Sequence, residues 1–117
     1  MTAPRLADFL DHIVVAVERI QQYTRAMDAS QFEADELVQD GVIRNIEVIG
    51  EACRRIQVGY PEFVAQHPEI PFAAAYQMRN AVAHGYFSVD FGIVWATIRD
   101  DLPVLSSRVR EILDNDL

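Results

Sequence analysis

The residues best suited to chemistry lie in one stretch, Met78-Arg79-Asn80-Ala81-Val82-Ala83-His84-Gly85-Tyr86-Phe87. On a regular helix the step from Arg79 to His84 turns about 140° and rises about 7.5 Å, so these two do not share a face. Asn80 and His84 are four apart and do. Asn80 can therefore bond one imidazole nitrogen and fix its tautomer, leaving the other for proton transfer. His84 precedes Gly85, a good left-handed helix stop, and the negative end of the helix dipole favours an imidazolium there. A histidine in that setting suits proton donation or exchange near neutral pH. Tyr86 comes just after the glycine. Spacing alone leaves a structural role open: a satisfied carbonyl, a surface ion pair, or a ring on the core. Arg-x-x-x-x-His is short and recurs by chance.

The remaining reactive residue types carry less. His12 lies beside an apolar helical stripe and His67 sits among prolines, positions that suit structural or exposed histidines. Cys53 is the lone cysteine, so neither an internal disulfide nor a thiolate metal cage can be drawn. It falls on an apolar stripe and reads as a small core residue. Asp100 and Asp101 read as a solvated face. No cluster has metal-ligand spacing, and no cofactor is expected.

The elements that must position these groups are helical throughout. Leu6, Leu10, Ile13, Val17 and Ile20 step by four and three, a single stripe on a helix of roughly residues 4 to 27. Ser30 and Glu33 have capping-box spacing, and the helix they open carries Val42, Ile46, Ile49, Cys53 and Ile56. Gly41 marks a bend or a close contact. Gly50, next to the stripe, would let another helix approach. Gly59 and Pro61 end the segment. Residues 60 to 71 hold three prolines and read as a connection with one short helical turn. A third helix runs over roughly 72 to 84. Asp90 is a candidate N-cap for a last helix bearing Phe91, Trp95, Ile98, Leu102, Leu105, Val109 and Ile112. Pro103 removes a ladder bond near Arg99, which predicts a kink, yet the stripe keeps its phase across it. No segment alternates with period two. The expected fold is all-α, an antiparallel four- to five-helix bundle in a single domain spanning 1–117.

Composition narrows the function classes. Half of the 117 residues are apolar, enough for one core, and so small a protomer often completes its core by dimerising. No apolar run approaches the ~18 residues of a membrane span. The N-terminus lacks the features of a signal peptide, so a cytoplasmic location is expected. The formal charge is −8, which counts against a broad basic surface for nucleic acid but leaves room for a local cleft. All ten basic residues are arginine.

Over residues 5 to 113 the chain resembles the HepT-like branch of the HEPN superfamily. The likeness rests on Arg44-Asn45, Ile49-Gly50-Glu51-Ala52, Glu69-Ile70-Pro71 and Met78-Arg79-Asn80. It continues through His84-Gly85-Tyr86-Phe87, Val89-Asp90, Trp95 and Asp101-Leu102-Pro103-Val104-Leu105, in order and at matching spacing. Phe72 stands where such proteins often have tryptophan, and it keeps an aromatic packing residue. The resemblance implies a HEPN-like helical bundle and a metal-independent endoribonuclease, the toxin of a toxin–antitoxin pair. Its motif Arg-x(4)-His-x-Tyr falls on Arg79, His84 and Tyr86. It further implies a homodimer whose two motifs face a shared cleft, and a minimal nucleotidyltransferase antitoxin that transfers AMP to Tyr86.

Within that frame His84 handles proton transfer and Arg79 stabilises charge on the phosphorane, since a planar guanidinium can donate two parallel bonds to phosphate oxygens. Asn80 supports His84. Glu51 is read as the partner of an arginine, Arg79 being the candidate, ahead of a cap on a buried contact. Two further classes compete. One is a non-catalytic helical scaffold that presents a substrate to the nucleotidyltransferase. The other is a DNA-binding regulator, which the acidic balance and the lack of a basic recognition helix oppose.

Overall fold

A computed structural model describes residues 5–84 and 89–115, with the backbone alone at 81, 83 and 84. Helix α1 spans Leu6–Thr24. Asp8 opens it by accepting a hydrogen bond from the Arg5 amide at 3.0 Å. Its stripe of Leu10, Ile13, Val17 and Ile20 is fully buried. Thr24 closes it, its hydroxyl donating back to the Ile20 carbonyl.

The next segment departs from the sequence reading. Asp28, not Ser30, supplies the cap: Gln31 N donates to Asp28 Oδ1 at 2.8 Å, and Asp28 N donates to Gln31 Oε1 at 2.9 Å. This reciprocal pair opens α2, Ala29–Glu33, and Ser30 lies inside it. An aspartate carboxylate is a stronger acceptor for an amide than a serine hydroxyl. A second cap at Asp35, which receives Val38 N, starts α3, Glu36–Gly59. Two caps seven residues apart therefore split one expected helix. Buried Gln39 spans the break, its Nε2 donating to the carbonyls of Phe32 and Glu33.

Helix α3 buries Val42, Ile46, Ile49, Cys53 and Ile56. It stops at Gly59, and Pro61 opens the short α4, Pro61–Gln66, the helical turn expected in the connection. Helix α5 spans Phe72–His84, so His84 is its last residue as expected, while Gly85 lies outside the described residues. Asp90 Oδ1 accepts from Gly92 N and Ile93 N, which begins α6, Phe91–Ala96. A π-helical turn, Thr97–Asp101, then leads into α7, Leu102–Asn115. Leu102 N reaches Thr97 O, a five-residue step. The wide turn lies directly before Pro103, whose ring would crowd the Arg99 carbonyl in a regular ladder. The expected irregularity is thus a π turn, and Ile98, Leu102, Leu105, Val109 and Ile112 stay buried along one stripe.

The long helices pack in the order α5–α3–α1–α7. Contacts along each pair run in opposite directions. Gly50 meets Arg79 while Arg54 lies over Tyr76, and Glu18 meets Arg110 across α1 and α7. The short α2 seats Phe32 against Phe91 and Trp95, ring centroids 5.9 and 5.4 Å away, which ties α2 to α6. The architecture is an all-α bundle, and among the described residues there is no strand. No described helix is long and apolar enough to cross a membrane.

Candidate functional site

Arg79 takes its place from a contact between helices. Its aliphatic stem lies on Gly50 of α3, where an added Cβ would come within 2.1 Å of Arg79 Cβ and 2.6 Å of Cγ. No real pair of carbons tolerates that separation, so only glycine at 50 lets α3 and α5 close to this distance. The expectation of a close helix approach at Gly50 is met, and the approaching residue is Arg79 itself. Gly41 is likewise a close contact, since a Cβ added there would lie 3.2 Å from the Tyr23 ring.

The Arg79 head is half-buried. Among the described residues its Nε is buried without a hydrogen-bond partner, and Nη1 donates to Asn80 Oδ1 at 3.4 Å, a long contact. Among the described residues no carboxylate comes within ion-pair distance of it. Among the described residues, then, its charge is not cancelled by a protein anion in contact with it.

Arg79 lines a cleft of about 490 Å³ between α1, α3 and α5, shared with His12, Arg44, Glu47, Glu51 and Arg55. Arg44 and Arg55 are eleven residues apart, three helical turns, so they project from one face of α3. The two carboxylates are occupied: Glu51 pairs with Arg55 at 3.1 Å and Glu47 lies 4.0 Å from Arg44. These exposed pairs add little to stability. They leave three arginines against two glutamates, a local positive excess on an acidic chain. An adjoining hollow of about 570 Å³ shares Phe9, Glu51 and Arg55 and extends to Tyr60, placing aromatic side chains beside the arginines.

Several expectations are resolved by this geometry. Glu51 does pair with an arginine, but with Arg55 one turn along its own helix; Arg79 approaches α3 over Gly50 and not over that carboxylate. Asn80 Oδ1 faces Arg79, while the His84 imidazole and the whole of Tyr86 lie outside the described residues. Cys53 is fully buried, and burial pushes its thiol up to about 12, as befits a core residue. His67 is held by Glu69, its Nδ1 3.0 Å from Glu69 Oε1, and that hydrogen bond keeps the Glu69 carboxyl below its usual range. His12 is exposed, as read, but its place in the Arg79 cleft was missed, as were Arg44 and Arg55. The three-turn spacing of those arginines is visible in the sequence; the packing that brings α1 to them is not. Among the described residues no three metal-ligating side chains lie together.

The family described as ribonuclease HepT-like matches residues 13–112. The chain is 36% identical over 105 residues to a protein named probable ribonuclease HepT from Thermococcus cleftensis, covering 90% of this chain and 93% of that one. It is 30% identical over 116 residues to a Caldanaerobacter subterraneus protein named as a candidate RNase, covering 99% of each. A Methanocaldococcus jannaschii protein named in the same way is 33% identical over 105 residues, 90% of this chain and 88% of its own. No solved structure gives a significant match.

Proposed function

The chain belongs to the ribonuclease HepT-like family, and on that premise we propose that it cleaves single-stranded RNA with Arg79 and His84 as its catalytic pair. RNA carries its own nucleophile, the 2′-hydroxyl beside each phosphodiester. An enzyme need only move protons and stabilise the phosphorane, which requires no metal. Arg79 donates to the phosphate oxygens, and its planar fork matches two of them at once. His84 transfers a proton at the reacting oxygens.

The observation that carries this reading is the state of Arg79: an arginine whose stem is seated on Gly50, lining a cleft, with no carboxylate neutralising it among the described residues. A phosphate entering that cleft meets a preset cation. The neighbouring Phe9 and Tyr60 suit stacking of unpaired bases, the usual route by which single-stranded RNA is held without a basic groove.

One motif histidine per chain does not readily serve as both base and acid. We place two protomers about a shared cleft, where a second copy of the motif doubles the cation and the imidazole. In this proposal the protein is a toxin, and a minimal nucleotidyltransferase neutralises it by transferring AMP from ATP to Tyr86, two residues beyond His84. The added phosphate and purine would occupy the room that RNA needs beside Arg79.

Purified protein incubated with single-stranded RNA in the presence of EDTA tests the reading. Cleavage by the parent, lost in His84→Ala, is expected, as is growth arrest on expression that the same change relieves. An inactive parent would leave the chain as a helical binding module. Tyr86→Phe is expected to keep cleavage and to resist neutralisation; loss of cleavage would instead give the tyrosine a direct part in the reaction.

A further inference from the structure

The proposed reaction needs two proton transfers, and the described cleft contains an imidazole that the motif does not supply. We infer that His12, on α1, is a second catalytic residue, one that touches the reacting oxygens of the phosphodiester held at Arg79. The inference rests on the nuclease reading above.

His12 and Arg79 line one cleft although they are 67 positions apart in sequence. The His12 side chain is exposed, and among the described residues it makes no hydrogen bond that would occupy its ring nitrogens. Phe9 meets the ring edge-on, centroids 6.3 Å apart, a contact that restricts the ring's orientation without using a nitrogen. His67 makes the contrast: its Nδ1 is engaged by Glu69, and it lines a different hollow with Arg108 and Glu111.

The other groups facing His12 do not compete for the task. From α3 come Arg44, Glu47, Glu51 and Arg55, and from α5 comes Arg79. Both glutamates are engaged by arginines, at 4.0 and 3.1 Å, and arginine does not release its proton in proteins. On α1 itself Asp8 is engaged at the helix start and Asp11 is adjacent in sequence. Histidine alone among these residue types changes charge between pH 5 and 8.

The chemistry then balances. One imidazole takes the proton of the 2′-hydroxyl as O2′ bonds to phosphorus. The other gives a proton to O5′ as the P–O5′ bond breaks. The products are a 2′,3′-cyclic phosphate and a 5′-hydroxyl, and neither water nor an oxidant is consumed. His12 performs one of these transfers and His84 the other.

The test compares the parent, His12→Ala, His12→Gln and Arg79→Ala in cleavage of single-stranded RNA across pH 5 to 9, with circular dichroism confirming the fold. The expected result is a fall of about a hundredfold or more in both His12 variants. One limb of the bell-shaped rate profile should disappear with it. Losing the acidic limb assigns His12 as base, and losing the alkaline limb assigns it as acid. Added imidazole should restore part of the activity of His12→Ala. Unchanged rates, or a uniform fall that preserves both limbs and is not rescued, overturn the inference while parent activity and its loss in Arg79→Ala keep the nuclease reading intact. A parent that does not cleave defeats both.

Discussion

At the scale of single residues, the sequence conveyed which side chains matter more readily than what they touch. Helical spacing brought Asn80 to the face of His84, and it did not reveal that Asn80 Oδ1 also lies within reach of Arg79 Nη1. Adjacent residues on a helix seldom meet, and only the bend of a long arginine chain permits it. Glu51 was read as an arginine's partner with Arg79 as the candidate; the i,i+4 site on its own helix holds Arg55, and that local pair prevails. Cys53 gives a clean test of core placement. Its thiol, pushed up to about 12 by burial, should resist a disulfide-exchange reagent at pH 8 in the native protein and react at once in denaturant. Between the ordinary thiol value near 9 and about 12, the unfolded chain ionises while the native chain keeps its proton. Stability should therefore be unaffected by this group below pH 9 and fall through that window by up to about 1.4 kcal/mol per pH unit. Rapid labelling of the native protein at pH 8 would show that the α3 stripe is not closed.

At the scale of elements, periodicity located the stripes and capping chemistry set the breaks. The stripes of α1, α3 and α7 are buried where the four-and-three steps place them, because burial of apolar surface follows directly from side-chain type. The division between α2 and α3 was not legible, because Ser30, Asp28 and Asp35 are all competent caps and tertiary contacts, such as Gln39 on the Phe32 carbonyl, select among them. Two substitutions probe elements that position the site. Gly50→Ala places a methyl carbon into the Arg79 stem and must push α3 and α5 apart. A loss of about 1–3 kcal/mol is expected from overpacking, with a fall in RNA cleavage larger than the drop in folded fraction explains. Unaltered cleavage would separate the helix contact from the chemistry. Asp90→Ala removes the acceptor of two amides at the start of α6 and should cost about 1 kcal/mol, read as a melting temperature lowered by a few degrees. An unchanged midpoint would mean the cap is not formed in solution.

At the scale of the whole molecule, the all-α bundle could be read from the absence of period-two patterns and the unbroken helical steps. The cleft could not, since it depends on how α1, α3 and α5 sit against one another. A chain of charge −8 concentrates three arginines along that cleft and neutralises two of them with glutamates on the same helix, which leaves the surplus at the floor. A shared site predicts that sedimentation equilibrium returns twice the mass of the chain at the concentrations where RNA is cut. A protein that stays monomeric while cleaving would remove the need for a second copy and shift the weight onto His12. The role of Arg79 is measured most directly by the initial rate of single-stranded RNA cleavage by the parent and by Arg79→Ala, side by side in EDTA with matched melting curves. A catalytic Arg79 means a fall of about 10²–10³ in the variant with its fold retained; equal rates in the two proteins would exclude that role.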